Sequence, residues 1–294
     1  MQPRSGQLAL TAALAAGFAL TALAQEPGLL GAFAIRSDHP VVGGLSAIEI
    51  TEEGAGLVVL SDSGALIRGQ ISRDAVGHIV ALALAEPQPL MARDGQRGER
   101  DARDSEGLAI ASDGRVFLSF ERDHRVVLHR RSGDTTLPAA RGFAALAGNA
   151  SLEALAVDAG GTLYTLPEQT SVRGADFPLF RYANGQWDDS WTIPRDGRFL
   201  PVGADFDDRG RFYLLERDFN LLLGFATRIR RFDVSPEGMQ RETTLWQSRH
   251  GTYSNLEGLS VWRDSHGRLV ASMVSDDNYS PILPTELVEI VLTE

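Results

Sequence analysis

One short unit recurs five times along this chain of 294 residues: a strand pattern, a Gly turn and a second strand. The clearest copies are Asp104–Arg122, Ser151–Glu168 and Asn255–Asp277, and fainter ones are Gly44–Gly64 and Val202–Asp218. Aligned on Leu45, Leu108, Leu155, Ala204 and Leu259, the copies are spaced by about 50 residues, the length of one four-stranded propeller blade. A repeat of this kind settles the architecture and also gathers in space whatever side chains it carries at equivalent places.

Between the copies the chain alternates β-rich runs such as Val116–Phe120 and Phe212–Leu215 with the turn pairs Asp113-Gly114, Gly160-Gly161, Arg209-Gly210 and His266-Gly267. Hairpin connections demand residues of this type. No long amphipathic helix is expected after the first 24 residues. The predicted fold is therefore all-β, a β-propeller with five four-stranded blades, or six if the longer first interval holds a divergent blade. The last unit is one strand short. Leu29–Ile35 is a strand-like run ahead of the first unit, and it is expected to close the last blade as its outer strand, which removes an exposed edge.

Residues 1–24 read as a signal peptide. Arg4 is their only charge, Leu8–Ala24 is rich in Ala and Leu, and Ala22-Leu23-Ala24 fits a small-x-small cleavage site. Residues 25–294 are then one propeller domain, periplasmic or secreted and with no stable membrane insertion once cleaved. About 270 residues suffice for one large core without disulfides, which suits a chain with no cysteine. The same absence excludes thiol catalysis and zinc–thiolate sites. The net charge of −11 argues against nucleic acid as a partner. Every basic residue is Arg, so Schiff-base chemistry and P-loops are excluded as well.

In a propeller the start of the innermost strand and the end of the second strand lie at one mouth of the central channel. Strand-one starts carry Glu106, Glu153 and Glu257, with Ser46 and Val202 in the other two units. Strand-two ends carry Asp62, Glu121, Glu168, Glu216 and Asp276. So many carboxylates cannot all stay ionised together without cations. A hard divalent ion, Ca²⁺ in the first place, is the expected cofactor. Its candidate ligands are Glu106, Glu153, Glu168, Glu257, Asp62 and Asp276, with Asn149 and Asn255 completing the shell. The competing expectation is structural, with the acids capping loop amides or pairing with Arg. Candidates for catalysis are Glu121, Glu216 and His124 as acid–base groups, and Arg122 and Arg217 as anion binders. His250 also falls near the mouth. Met91–Asp104 carries Arg93, Arg97, Arg100 and Arg103 and reads as a surface loop or lid. Asp218–Thr227 reads as a long apolar connection covering the mouth or packing on it.

Taken in order, Gly43-Gly44-Leu45-Ser46, Leu60-Ser61-Asp62, Glu106-Gly-Leu-Ala, Asn149…Glu153-Ala-Leu, Leu215-Glu216-Arg217-Asp218 and Asn255-Leu-Glu257-Gly-Leu resemble the phytase-like domain (esterase-like activity of phytase) of exported bacterial proteins. The resemblance spans about Gly31 to Val291. It implies a propeller that hydrolyses phosphoesters or carboxylesters, but it hands over no nucleophile. The expected function is a divalent-metal-dependent hydrolase, monomeric, acting on a small anionic or ester substrate. The alternatives are a non-catalytic propeller that binds a ligand or partner, and a sugar-lactone-type hydrolase with one deep ion site on the axis.

Overall fold

A computed structural model describes residues 28–293, apart from 38, 40, 91–103, 147–151 and 281. It contains five antiparallel sheets and no α-helix among the described residues; the only helical pieces are the 3₁₀ turns Glu52–Gly54 and Arg141–Ala145. No helix of the described residues is long and apolar enough to cross a membrane.

The first strand, β1 (Leu29–Ala34), belongs to the last blade. Blade one follows with β2 (Leu45–Thr51), β3 (Gly56–Ser61), β4 (Ala65–Arg73) and β5 (Ile79–Leu84), and the short β6 (Gln88–Pro89) pairs back on β4. Blade two holds β7 (Ser105–Ile110), β8 (Val116–Phe120), β9 (Arg125–His129) and β10 (Thr135–Thr136). Blade three holds β11 (Ala154–Val157), β12 (Leu163–Leu166), β13 (Phe177–Ala183) and β14 (Gln186–Ile193). Blade four holds β15 (Leu200–Phe206), β16 (Arg211–Asn220), β17 (Gly224–Ser235) and β18 (Gly238–Gln247). Blade five holds β19 (Asn255–Arg263), β20 (Leu269–Asp276), β21 (Glu286–Val291) and, outermost, β1. The predicted closure is present: β1 runs antiparallel to β21, with Ala32 opposite Val288 and Ala34 opposite Glu286. Five blades stand, not six.

Side chains alternate along each strand, so every blade has two apolar faces. Five buried clusters result, one between each pair of neighbouring blades. Tyr213 and Leu215 of blade four meet Leu259 and Met273 of blade five, and Leu45 and Ile48 of blade one meet Val274 and Leu287 of blade five. The hairpins carry the expected turns, with Gly114 at φ +83° and Gly267 at φ +75°. The Asp opening such turns recurs for a structural reason. Asp207 and Asp264 each accept two backbone N–H groups with one carboxylate oxygen, from Arg209 and Arg211 and from His266 and Arg268 respectively.

Asp218–Thr227, expected as a connection, is instead the end of a long hairpin. β16 and β17 stay paired out to Asn220 and Gly224, and the Phe219 and Phe225 rings meet at a tilt of 43° with centroids 4.8 Å apart. Cross-strand aromatic pairs of this type favour continued pairing over a loop.

Candidate functional site

The inner strands β2, β7, β11, β15 and β19 form a closed ring, each touching the next. A bulge near the start of four of them places one extra residue opposite the neighbouring second strand. The shifts fall between Leu45 and Ala47, Ser105 and Leu108, Pro201 and Gly203, and Leu256 and Gly258. Ser46, Glu106, Val202 and Glu257 sit in these bulges, and Glu153 stands just before β11. A β-bulge re-aims a side chain that a regular strand would hold in the pleat.

The residue after each of these is small, for a steric reason. A Cβ on Gly203 would lie 2.4 Å from the Glu257 carbonyl oxygen, and one on Gly258 would lie 2.7 Å from the Cα of Ala47. One on Gly107 would lie 2.4 Å from Ser119 Oγ and 2.6 Å from Leu155 Cβ. In a ring of only five blades the inner strands approach backbone to backbone. The Glu-Gly pair of the repeat therefore divides its labour, with the acid turned to the mouth and the glycine admitting the next blade.

The registers also define the second ring of the mouth. Ala47 pairs with Leu60, Ala154 with Leu166, Gly203 with Leu215 and Gly258 with Val274. Two residues beyond those partners stand Asp62, Glu168, Arg217 and Asp276, and Glu121 takes the same place in blade two. Residue type puts the acid Glu216 in blade four's position, whereas the register puts Arg217 there, seven residues after its turn glycine as Glu121 and Glu168 are after theirs. A one-residue slip turns a side chain to the opposite face. Glu216 is fully buried and accepts bonds from Arg228 Nε at 2.6 Å and from Arg230 Nε at 2.7 Å and Nη2 at 2.6 Å. Those partners make it a structural anchor between blade four and the 194–196 segment, which also binds Arg228 and Arg230.

The mouth has two unlike halves. On one side Arg217 reaches across the ring. It donates to Glu168 Oε1 of blade three at 2.8 Å and to Glu257 and Asn255 of blade five. Asn255 uses its amide nitrogen on Glu257 at 2.9 Å and on Asp276 at 3.4 Å. On the other side the acids of blade two converge. Asp104, Glu106 and Glu121 of blade two bring one carboxylate oxygen each to within 4.8 Å of one another. Arg122 pairs with Asp104 at 2.8 Å. Between the halves, Tyr279 of blade five donates to Asp62 of blade one at 2.7 Å, and Asp277 accepts the Gly44 N–H at 3.0 Å.

Electrostatics follow this division. Burial first, then the charges of Glu153, Glu257, Glu121 and Asp104, hold the Glu106 carboxyl well above its ordinary 4.5. Glu153 is raised likewise by burial and by Glu168 and Glu257. Glu257 rises only to about 7, because Arg217 opposes its burial. Asp62 rises to about 6, from burial against the bond from Tyr279. Further along the inner strands, Glu49 accepts the Ile110 N–H at 3.1 Å and Asp205 accepts the Val261 N–H at 2.6 Å, fastening blade one to two and four to five.

Of the residues expected at the site, Glu106, Glu153, Glu168, Glu257, Asp62, Asp276, Asn255, Glu121, Arg122 and Arg217 are at this mouth. His124 is spent on its own turn, with Nδ1 at 2.5 Å from the Glu121 carbonyl, and His250 faces Asp218 at 3.2 Å. Asn149 and the segment 91–103 lie outside the described residues. Asp104 and Tyr279 are members of the mouth that sequence reasoning misses. Asp104 stands two residues before Glu106 in the clearest copy of the repeat, and that is its only signal.

Fold and mouth together define a five-bladed β-propeller with an acidic opening whose blade-two cluster could hold a metal ion. The family model for phytase-like proteins, described as esterase-like activity of phytase, matches residues 40–279, and the chain belongs to that family. No curated protein matches it in sequence. Among solved structures it is similar to the PQQ-bound aldose sugar dehydrogenase of Streptomyces coelicolor, with 11% identity, 91% of this chain and 100% of that one covered, and a TM-score of 0.47. It is also similar to virginiamycin B lyase of Staphylococcus aureus, with 9% identity, 90% and 99% covered, and a TM-score of 0.46. A gluconolactonase of Xanthomonas campestris shares 14% identity over 81% of this chain and 69% of that one, with a TM-score of 0.41. Likenesses at this level carry no argument about chemistry.

Proposed function

We propose that the protein is a divalent-cation-dependent hydrolase of phosphoesters or carboxylesters, working at the acidic mouth. The observation that supports this reading best is the convergence of Asp104, Glu106 and Glu121, which bring one carboxylate oxygen each to within 4.8 Å of one another. An all-oxygen donor set suits a hard ion such as Ca²⁺, and burial of like charges gives Glu106 a reason to take one up. Asp104, Glu106 and Glu121 would hold the ion. When bound, it would supply neutralising charge and polarise an ester or phosphoryl oxygen.

The chain's own groups do the rest. Glu257, raised to about 7, can accept a proton from water near neutral pH and return it. Arg217 fixes its orientation through Oε1, and Asn255 braces the same oxygen. The substrate class is a small anionic or ester molecule. We place the protein in the periplasm or outside the cell, as a monomer, on the strength of residues 1–24 and the acidic surface. A non-catalytic reading draws support from the same ion pairs: with Arg217 and Arg122 already in place, the carboxylates could serve only to stiffen the ring.

Melting with and without Ca²⁺, for wild type and Glu106→Gln, tests the site; cation near one hundred times Kd should stabilise the wild type alone, by about 2.7 kcal/mol. Cation-loaded protein should then turn over aryl phosphates or aryl esters. Stabilisation without turnover on any member of such a panel would leave only the non-catalytic reading.

A further inference from the structure

The mouth carries a feature that hydrolysis of small esters does not require. Nine large apolar side chains are strongly exposed among the described residues, and seven of them stand on this one face: Val172, Phe219, Leu221, Leu222, Leu223, Tyr279 and Ile282. Six of them belong to connections between the second and third strands of blades three, four and five, and Phe219 stands at the end of β16 beside one; these connections leave the ring where the second-strand acids stand. In blades one and two the corresponding turns are short and polar, Asp62–Gly64 and Glu121–His124. Scattered exposed apolar residues are ordinary, but a clustered patch beside a polar site is not.

The blade-four hairpin is the core of this rim. Leu221 and Leu222 are 87% and 90% exposed at its tip. The tip is nonetheless fixed. Asn220 Oδ1 accepts the N–H groups of Leu222 at 2.9 Å and Leu223 at 3.2 Å. Gly251 donates to the Phe225 carbonyl at 2.8 Å, and Arg198 donates to that of Phe219 at 2.9 Å. Pairing of β16 with β17 is regular from Arg211 to Asn220. Phe219 and its cross-strand partner Phe225 therefore share the face of Arg217, about 7 Å further out along the strand. An apolar wall thus stands directly above the neutralised half of the mouth, opposite the Asp104, Glu106 and Glu121 cluster under its low polar rim.

We infer that this rim is a subsite for the apolar part of an amphiphilic ester, whose polar head lies in the mouth while its acyl or aryl group rests on Phe219 and the Leu221–Leu223 tip. The occupant is a single amphiphilic molecule and not a bilayer, because the apolar rim is confined to three of the five blades and faces a carboxylate cluster, a sidedness that matches one molecule with a head and a tail. The inference rests on the hydrolase reading for the word ester; the apolar subsite itself does not.

Two homologous series separate the claims. Binding of n-alkyl phosphates with Ca²⁺ and of n-alkylammonium ions without it is followed by calorimetry, which needs no turnover. A one-sided wall buries roughly half of each methylene, so affinity should rise about twofold per added carbon in at least one series. Replacing Leu221, Leu222 and Leu223 together by Ser, at positions that support no core, should flatten that rise and leave the two-carbon member unchanged. Phe219→Ser should flatten it in part. No rise with chain length in either series, or a rise that survives both variants, overturns the inference. So does flotation with phosphatidylcholine vesicles that the triple variant abolishes while monomeric alkyl chains show no preference, since the occupant is then a bilayer. Kinetics on p-nitrophenyl esters from acetate to octanoate should show the same slope in kcat/KM. If no ester is turned over but the binding slope stands, the hydrolase reading falls and the subsite remains; turnover without a slope does the reverse.

Discussion

Replacing Arg217 by Gln should produce a loss of stability that depends on pH in a particular way. Arg217 is the cation that lets Glu257 ionise inside the mouth. Its side chain is 20% exposed, while those of Glu168 and Glu257 are 10% and 9% exposed. Even with Arg217 present, the Glu257 carboxyl is raised from 4.5 to about 7. A carboxyl raised on folding contributes stability in full below its unfolded value, and this is lost as pH climbs to the folded value. A tenfold change in proton affinity between the two states is worth about 1.4 kcal/mol. In the wild type this loss amounts to about 3 kcal/mol and ends near pH 7, where Glu257 ionises against Arg217. Without Arg217, Glu257 keeps its proton to higher pH and the loss continues. The difference between wild type and Arg217→Gln should therefore be constant between about pH 5 and 7. Its size there should be about 1–3 kcal/mol, for the broken hydrogen bonds. Between about pH 7 and 8 it should grow by about 1.4 kcal/mol. Urea unfolding at three pH values in chelator-containing buffer measures this directly. An equal difference at about pH 6 and pH 8 would show that Arg217 does not hold an ionised Glu257, and the two-halved mouth would have to be abandoned.

Two further outcomes are expected. Gly258→Ala should destabilise by about 1–3 kcal/mol, because its Cβ would meet the backbone of Ala47 and Ile48 at 2.7–2.8 Å, whereas Gly31→Ala, with nothing within 4 Å, should be close to neutral in the same urea titration. Glu216→Gln should cost about 3–5 kcal/mol by leaving Arg228 and fully buried Arg230 short of their shared anion, which a lowered melting temperature would record.

The repeat makes the blades legible because a strand, a Gly turn and a second strand are local events, written in adjacent residues. Closure by the segment from Leu29 is legible for a different reason, since the last unit lacks a partner strand. Register is legible only by counting, and residue type misleads. Glu121 and Glu168 each stand seven residues after their turn glycines, Gly114 and Gly161, and the seventh after Gly210 is Arg217; choosing the acid Glu216 slips by one residue onto the other face of β16. The consequence is large, because a position that reads as a fifth acid holds the cation that organises the other acids. The glycines after Glu106 and Glu257 are visible as part of the motif. Their reason, the approach of a neighbouring blade separated by dozens of residues in sequence, can be seen only in the assembled ring. The long blade-four hairpin reads as a connection because Leu221-Leu222-Leu223 lacks alternation, although Phe219 and Phe225 pair across it.

The pairing of β1 with β21 sets an order of events. β1 is among the earliest strands synthesised and the last to find its neighbour, since its partner is made only after four blades have been laid down. Until then blade five has an open outer edge and the earliest strand has no sheet. Contacts of such long range form slowly, and unpaired strands in waiting are sites for association with other chains. The short β1, LLGAFA, bears a glycine and two alanines, a composition that limits how strongly it can adhere to anything but its own ring. The same join that makes the finished propeller seamless makes the half-made one dependent on keeping its first strand free.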